Sequence, residues 1–514
     1  MGDPCGAAGA AVCDPVETAA GPDSSGGAET IALFCDFMKE DSTLAAGTDG
    51  ESAHLAIERR LRQLTATRPA GERLPSTRTL VQEHAASPLT VQRALQRLVL
   101  EGLVETRPGA GSFIARRPGV HRADFGWQTT ALGTARTGAD AIGAALASAG
   151  PGVISLHSGY PAEELLPTRL VRSALVRAAR TSTAVERAPL AGLPELLTWF
   201  AAELAPAGAS GVAPPTADDV VITPGGQSAL SSIFRALAAP GDAIVMESPT
   251  YWGAMAAARQ AGLRVVPISR GAAAPTAGDL DDALGSSGAR LFYAQPHFAN
   301  PTGALWTSEE RAGILAVIRA RGVYLIEDDW AHDFGIDADV VPLAADDANG
   351  HVVYVRSLTK SVSPAIRVGA VVARGPALAR IQADRTVDDL YVSGILQAAA
   401  VDVLTDPGWR SHLARLRGSL RARRDELARQ VRGQLGPDAL ELVPRGGLNL
   451  WLRLADGVDM PGLARRSRAE GVLFSPGDDW FPAEPTGSFL RLNYSRARPE
   501  IFEEAVATIA RLVP

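Results

Sequence analysis

The stretch VVYVRSLTKSVSPAIR, residues 352–367, joins a run of strand-forming residues to a lysine that is followed by serines and an arginine. Only Lys39 and Lys360 are lysines among the 50 basic residues of the chain. A guanidinium stays protonated and cannot form a Schiff base, whereas a lysine amine can. Lys360 is therefore a candidate for covalent chemistry, and Arg367 suits a neighbouring phosphate.

Short apolar runs of strand length alternate with helical stretches through the larger part of the chain. This alternation predicts an α/β fold with a mainly parallel sheet and helices on both faces. A smaller α+β unit is predicted for about residues 410–514. The predicted strands are Val220–Thr223, Ala243–Glu247, Leu291–Ala294, Tyr324–Glu327, Val352–Arg356 and Val368–Ala373.

Residues that suit a flat phosphorylated cofactor follow these strands, at the edge where open α/β sheets bind ligands. Gly226 and Gln227 form a turn into a helix, where the backbone can approach a phosphate. Tyr251 can lie over a ring, Asn300 is a neutral donor, and Asp328 can pair with a protonated pyridine nitrogen. Each residue alone also has a structural explanation, and their order along the chain favours a site.

The N-terminal part has a different character. Residues 1–50 carry nine acidic residues and one lysine, and they are predicted to form a mostly disordered tail. Its cysteines, Cys5, Cys13 and Cys35, lack metal-ligand spacing and are expected to be reduced. Residues 51–120 carry eleven arginines and six acidic residues, which indicates either a nucleic-acid partner or an ordinary solvated surface.

Residues 51–116 are predicted to form a winged helix, joined by a linker, residues 117–150, to a unit of residues 151–514. Ser76 is expected to cap its second helix and Ser87 its third, with Pro88 at the first helical position. Two short strands are expected around a turn at residues 108–111. No metal site, membrane span or signal peptide is predicted, so a cytoplasmic location is expected.

Two sets of motifs resemble known families. Residues 300–303 (NPTG) and 357–360 (SLTK) resemble fold-type I, class I aminotransferases, and the resemblance extends over residues 150–514. Residues 71–78 (GERLPSTR) and 107–114 (RPGAGSFI) resemble the GntR winged helix-turn-helix. The combination is similar to the MocR subfamily of bacterial regulators. It implies a pyridoxal 5′-phosphate (PLP) cofactor, a double-stranded DNA operator, a small amine or amino-acid effector and a homodimer.

The resemblance also implies roles for individual residues. Lys360 would form the Schiff base, Asp328 would pair with the pyridine nitrogen, Asn300 would bind the ring hydroxyl and Tyr251 would stack on the ring. Arg491 would bind an effector carboxylate. The phosphate would be held by Gly226, Gln227, Ser357 and Arg367. The DNA contacts would come from Arg73, Ser76, Arg78, Thr90, Gln92, Arg93, Gly109 and Gly111.

Three positions depart from the family pattern. Trp330 stands near the cofactor where relatives have a tyrosine, and an indole can donate one hydrogen bond but cannot accept one. Leu197 replaces an arginine on the effector side, and Pro88 replaces an arginine of the DNA-reading helix. The leading hypothesis is a PLP-binding regulator that senses an amine. The alternatives are an active aminotransferase with an accessory DNA-binding module, and a sensor of PLP itself.

Overall fold

The computed structural model describes residues 53–116, 124–132, 150, 152–205, 212–271 and 273–513. The predicted tail, its cysteines and Lys39 lie outside these residues. The chain divides into two compact units, within residues 1–131 and 132–514. The domain boundaries predicted at residues 116 and 150 border residues outside the described set, and they stay predictions.

The smaller unit is built from three helices and a two-stranded antiparallel hairpin. An apolar core that includes Ile57, Leu80 and Val91 holds the three helices together. Both predicted caps are confirmed, because the side chains of Ser76 and Ser87 accept hydrogen bonds from the backbone three residues on. The elements are α1 (Ala53–Thr67), α2 (Thr77–His84), α3 (Pro88–Leu100), β1 (Val104–Arg107) and β2 (Gly111–Ile114), followed by a short helix α4 (Gly126–Leu132).

A seven-stranded sheet forms the centre of the larger unit. Its spatial order is β4-β10-β9-β8-β7-β5-β6, in which only β10 runs antiparallel to its neighbours. The predicted mainly parallel sheet is confirmed, and the strand that the sequence did not predict is β6 at one edge. The strands are β4 (Val220–Thr223), β5 (Ala243–Ser248), β6 (Arg264–Ser269), β7 (Leu291–Ala294), β8 (Tyr324–Asp328), β9 (Val352–Ser357) and β10 (Gly369–Val372).

Helices cover the sheet, and separate apolar cores pack around it. Parallel strands need crossover connections, and the helices between the strands provide them. Among the described residues, no helix is long and apolar enough to cross a membrane. The helices up to the C-terminal segment are α5 (Thr168–Ala178), α6 (Pro194–Leu204), α7 (Gly226–Leu237), α8 (Trp252–Gln260), α9 (Ala277–Ser287), α10 (Ser308–Arg321), α11 (Pro376–Asp389) and α12 (Gly394–Thr405).

The C-terminal segment packs around a core of its own. Its three-stranded antiparallel sheet has the order β11-β14-β13, and β3 (Ile154–Ser155) pairs in parallel with β12. The start of the larger unit is therefore paired with its C-terminal segment. The remaining elements are α13 (Gly408–Leu435), β11 (Asn449–Arg453), α14 (Met460–Ala469), β12 (Val472–Leu473), β13 (Ser475–Pro476), β14 (Phe489–Asn493) and α15 (Phe502–Leu512).

Candidate functional site

A cavity of about 620 Å³ lies where the strands β4, β5, β8 and β9 end. Every residue that the sequence predicts for the cofactor or the effector lines this cavity. These residues are Gly226, Gln227, Tyr251, Asn300, Asp328, Trp330, Ser357, Lys360, Arg367 and Arg491. The structure thus brings together groups that are up to 265 residues apart in the chain (Gly226 to Arg491). Their individual roles stay predictions.

One end of the cavity is a cradle of donors around the turn from β4 into α7. Arg367 donates a hydrogen bond to the carbonyl oxygen of Pro224 at 2.9 Å, and its other terminal nitrogen lies 3.4 Å from the hydroxyl of Thr359. Gly225 has φ +92, and a Cβ there would lie 3.0 Å from both Arg367 and Thr359. Because α7 begins at Gly226, its first backbone N–H groups have no partner within the helix. This cradle fits a phosphate group.

Gln227 lies in the cavity, but its side chain is engaged with its neighbours. Its amide oxygen accepts a hydrogen bond from the hydroxyl of Tyr251 at 3.1 Å, and its amide nitrogen donates to the carbonyl oxygen of Gly253 at 2.8 Å. The side chain therefore positions the ring of Tyr251, and the backbone N–H is the part of Gln227 that suits a phosphate. Burial raises the pKa of Tyr251, so the ring stays a neutral surface.

Asp328 accepts hydrogen bonds from residues in and directly after the neighbouring strand β7. The hydroxyl of Tyr293 and the side-chain amide of Gln295 both donate to its Oδ2, at 2.7 and 2.8 Å. Oδ1 is thereby left to face a further donor such as a pyridinium. Burial raises the pKa of Asp328, while these two hydrogen bonds and the charge of Lys360 oppose the rise. Sequence reasoning missed Tyr293 and Gln295, although Gln295 directly follows β7, the strand beside β8.

Asn300 is fixed in one orientation by residues of the C-terminal sheet. Its Oδ1 accepts a hydrogen bond from Arg491 at 3.1 Å and lies 3.5 Å from the amide nitrogen of Asn449. Its backbone N–H donates to Gln295 at 2.9 Å. With the oxygen occupied, the amide nitrogen of Asn300 is the group available to a ligand, as the prediction of a neutral donor requires.

The amine of Lys360 is shifted toward its neutral form. Its pKa is lowered to about 8, mainly by burial and in smaller part by the charge of Arg491, while the carboxylate of Asp328 opposes the shift. At pH 7 about one amine in ten is then neutral, against about one in several thousand at the ordinary pKa. A neutral amine is what Schiff-base chemistry needs.

Arg491 is only 4 % exposed and lies against the ring of Trp480, with the guanidinium carbon 4.6 Å from the ring centroid. Its Nε has no hydrogen-bond partner among the described residues. Burial lowers its pKa to about 9. A buried guanidinium with an unused donor that lines a cavity is suited to a carboxylate.

Trp330 is buried and lines the same cavity. The amine of Lys360 lies 4.3 Å from the centroid of its indole ring. Its buried Nε1–H has no hydrogen-bond partner among the described residues. Leu197, the other departure on this side, packs in the apolar core that contains Val220 and Ile222 and does not line the cavity.

These features fit PLP. The cradle at Gly225 and Arg367 suits its phosphate, Tyr251 its ring face, Asp328 its pyridine nitrogen and Lys360 its aldehyde. The unpartnered donor of Trp330 is an observation that a polar ligand would explain. Among the described residues, no cluster of histidine, cysteine or acidic side chains could hold a metal ion.

In the smaller unit, the predicted DNA-contacting residues fall into two groups. Arg78, Gln92 and Arg93 are exposed on the helices α2 and α3. The hydroxyls of Ser76 and Thr90 are used within the protein, since Ser76 pairs with Thr79 and Thr90 with Ser87, both at 2.8 Å.

The hairpin that forms the wing contains the remaining predicted contacts. Gly109 and Gly111 have φ of +72 and +109 in the turn between its strands. The side chain of Arg73 lies across Gly111, where a Cβ would be 3.1 Å from its Nε. At Gly109 a Cβ would meet no atom within 4 Å, so the backbone there is open to close approach by a ligand.

Comparison with known proteins identifies both parts of the chain. Residues 151–509 match the family model of aminotransferase class I and II, and residues 53–114 match that of bacterial regulatory proteins of the gntR family. The chain belongs to the aminotransferase class I and II family, with a GntR-type module before it. It therefore has the MocR-type architecture of a PLP-dependent, DNA-binding regulator.

Several known proteins are similar to this chain. The probable rhizopine catabolism regulatory protein MocR of Rhizobium meliloti is 28 % identical over 86 % of this chain and 89 % of its own length. An uncharacterized HTH-type transcriptional regulator, YdfD of Bacillus subtilis, is 24 % identical over 87 % of this chain and 92 % of its own. The crystal structure of LysN, an α-aminoadipate aminotransferase from Thermus thermophilus, has a TM-score of 0.65 and 28 % identity, covering 73 % of this chain and 96 % of that one.

Proposed function

We propose that Lys360 carries PLP as a Schiff base, and that a small amine or amino acid displaces Lys360 and thereby changes the affinity of the protein for a double-stranded DNA operator. We further propose that the protein acts as a homodimer on paired half-sites, in the cytoplasm where its DNA partner is. The observation that carries the proposal is the convergence of Lys360, Asp328, Arg491 and the phosphate cradle in one cavity.

In this proposal, each residue of the cavity has a separate role toward the cofactor. When bound, PLP supplies an aldehyde carbon that primary amines attack and a ring that withdraws electrons. Oδ1 of Asp328 would hold a proton on the pyridine nitrogen, because Tyr293 and Gln295 donate to its other oxygen. When a ligand amine takes its place, Lys360 would be released as a free amine, and its lowered pKa favours the neutral form of that amine. The ring of Tyr251 would lie against one face of the cofactor.

The presence of Arg491 in the cavity favours an effector that has a carboxylate. Its Nε has no partner among the described residues, and the planar guanidinium suits bidentate binding of a carboxylate. Its terminal nitrogens now donate to Asn300, to the carbonyl oxygen of His157 and to Ser475. A carboxylate there would compete with Asn300, which now accepts a hydrogen bond from Arg491. Binding of the effector would therefore change the hydrogen bonds of Asn300, the residue proposed to contact the cofactor ring.

A link to DNA requires two states of the whole protein that the effector binds with different affinity. In the proposal, covalent attachment through Lys360 favours one state and release of Lys360 favours the other. A ligand that shifts DNA affinity tenfold needs only about 1.4 kcal/mol of such a preference. Contacts within one cavity can supply a difference of this size.

The alternative function is a working aminotransferase, and the complete cavity supports it. Lys360 lies beside Asp328 and Arg491 as catalysis would need, and the similar LysN structure is that of an aminotransferase. Trp330 weighs against efficient turnover, because an indole cannot accept a hydrogen bond or ionise as a phenol can. Sustained transfer of amino groups to a keto acid would favour this alternative over a pure regulator.

The experiment measures the cofactor and the DNA on the same sample. Full-length protein loaded with PLP is titrated with a panel of amines and amino acids, and the cofactor absorbance and the affinity for DNA from upstream of its own gene are recorded. The proposal predicts that one class of amine changes both readouts in the wild type and in Lys39→Ala. It predicts that Lys360→Ala loses the coupling. An amine that saturates the spectral change without altering DNA affinity would contradict the proposal.

A further inference from the structure

The reading face of the helix α3 contains one apolar side chain among polar ones. Leu89, Gln92, Arg93 and Gln96 follow the spacing i, i+3, i+4 and i+7, which places them on one face of a helix. All four are exposed, and Leu89 is 56 % exposed. The opposite face, with Val91, packs in the core of the module, so Leu89 adds nothing to that core.

In the first turn of α3, Leu89 is the side chain that is most available for contact with a partner. Ser87 accepts the backbone N–H of Thr90 at 3.1 Å, and the hydroxyls of the two residues are 2.8 Å apart. Pro88 occupies the first helical position and has no N–H to offer. The polar groups at this end of the helix are therefore either absent or engaged in the cap, while Leu89 projects from it.

Helix-turn-helix proteins place the N-terminal residues of this helix against base edges in the major groove. Thymine is the base that presents a methyl group there, and apolar side chains contact it. We propose that Leu89 reads the 5-methyl group of a thymine in each half-site of the operator. The proposal rests on DNA binding by this module and is independent of the cofactor chemistry.

Neighbouring residues on the same face complete the contact. Gln92 and Arg93 lie one turn further along and can bind adenine or guanine edges, and Arg78 on α2 supplies positive charge toward the backbone. Leu89 therefore determines one base pair at the edge of a site whose other positions are read by hydrogen bonds. Loss of one buried methyl group is expected to weaken binding about fourfold for each half-site.

The test begins with selection of DNA sequences by the full-length protein loaded with PLP, followed by affinity measurements on the selected duplex. Each thymine is replaced in turn by deoxyuridine, which removes the methyl group and keeps the base pairing. The same duplexes are then measured with Leu89→Ala. Leu100→Ala is the matched control, because Leu100 lies at the other end of α3 and is 88 % exposed.

The proposal predicts one thymine in each half-site where deoxyuridine weakens wild-type binding about fourfold. Leu89→Ala should bind thymine and deoxyuridine equally at that position, while Leu100→Ala should behave as the wild type. Equal binding of both duplexes by the wild type would overturn the proposal. A difference that persists in Leu89→Ala would also overturn it. Failure to select any sequence would instead contradict DNA binding by the module.

Discussion

Replacing Gly225 by alanine should weaken PLP binding at least tenfold. Gly225 has φ +92 and ψ 172, a region that is essentially restricted to glycine and costs an L residue roughly 1–3 kcal/mol. The new Cβ would also lie 3.0 Å from Nη2 of Arg367 and from the hydroxyl of Thr359, closer than the usual contact of about 3.5–4.0 Å. At least one of these side chains must then move away from the cradle that would hold the phosphate.

The size of the effect follows from the hydrogen bonds at stake. A hydrogen bond to a charged group contributes about 1.5–3 kcal/mol, which corresponds to a ten- to hundredfold change in affinity. The assay is titration of the cofactor-free protein with PLP, followed by absorbance, together with thermal unfolding of each variant. The expected result is a large loss of PLP affinity with a modest loss of stability.

Gly241→Ala provides the matched control. Gly241 has φ +96, almost the same as Gly225, but a Cβ there would meet no atom within 4 Å. Both variants should lose stability from backbone strain, and only Gly225→Ala should lose PLP affinity. Wild-type affinity in Gly225→Ala would refute the assignment of this turn to the phosphate.

Two further predictions concern Lys360 and the DNA-binding module. The rate at which PLP enters the cofactor-free protein should rise with pH to a midpoint near 8, because the neutral amine of Lys360 is the reactive form. Arg491→Ala should raise this midpoint, because the charge of Arg491 lowers the pKa of Lys360. Asp328→Asn should lower the midpoint, because the carboxylate of Asp328 raises that pKa. Unchanged midpoints would argue against these contacts. Ser87→Ala should lower the free energy of unfolding of the DNA-binding module by about 1 kcal/mol through loss of the helix cap, without changing PLP affinity. A calorimetric scan that shows no destabilisation of that module would contradict this prediction.

The sequence predicted most of the central sheet because its strands are buried on both faces. Runs such as Val220–Thr223 and Leu291–Ala294 are apolar apart from the terminal Thr223, all their residues are buried, and the structure gives both runs the same bounds. The strand β6 was missed because it lies at the sheet edge, is partly exposed and contains Pro267. The pairing of β3 with β12 joins residues more than 300 positions apart, and no local pattern indicates it.

The sequence predicted which residues would line the candidate site, but it did not predict the hydrogen bonds between them. Strand order along the chain placed Asp328 and Lys360 at one edge, which is where the structure has them. The support of Asp328 by Tyr293 and the use of Gln227 to hold Tyr251 depend on which strands and helices become neighbours in space. Side-chain direction within a turn is likewise set by packing and not by spacing.

The most direct test of the central claim is to locate the cofactor on the chain. The PLP-loaded protein is reduced with borohydride to fix any Schiff base, digested, and its lysine peptides are analysed by mass spectrometry. Only Lys39 and Lys360 can carry a side-chain label, so the result is unambiguous. The account predicts a phosphopyridoxyl group on the peptide of Lys360. A label on Lys39 alone, or no label on either lysine, would contradict it.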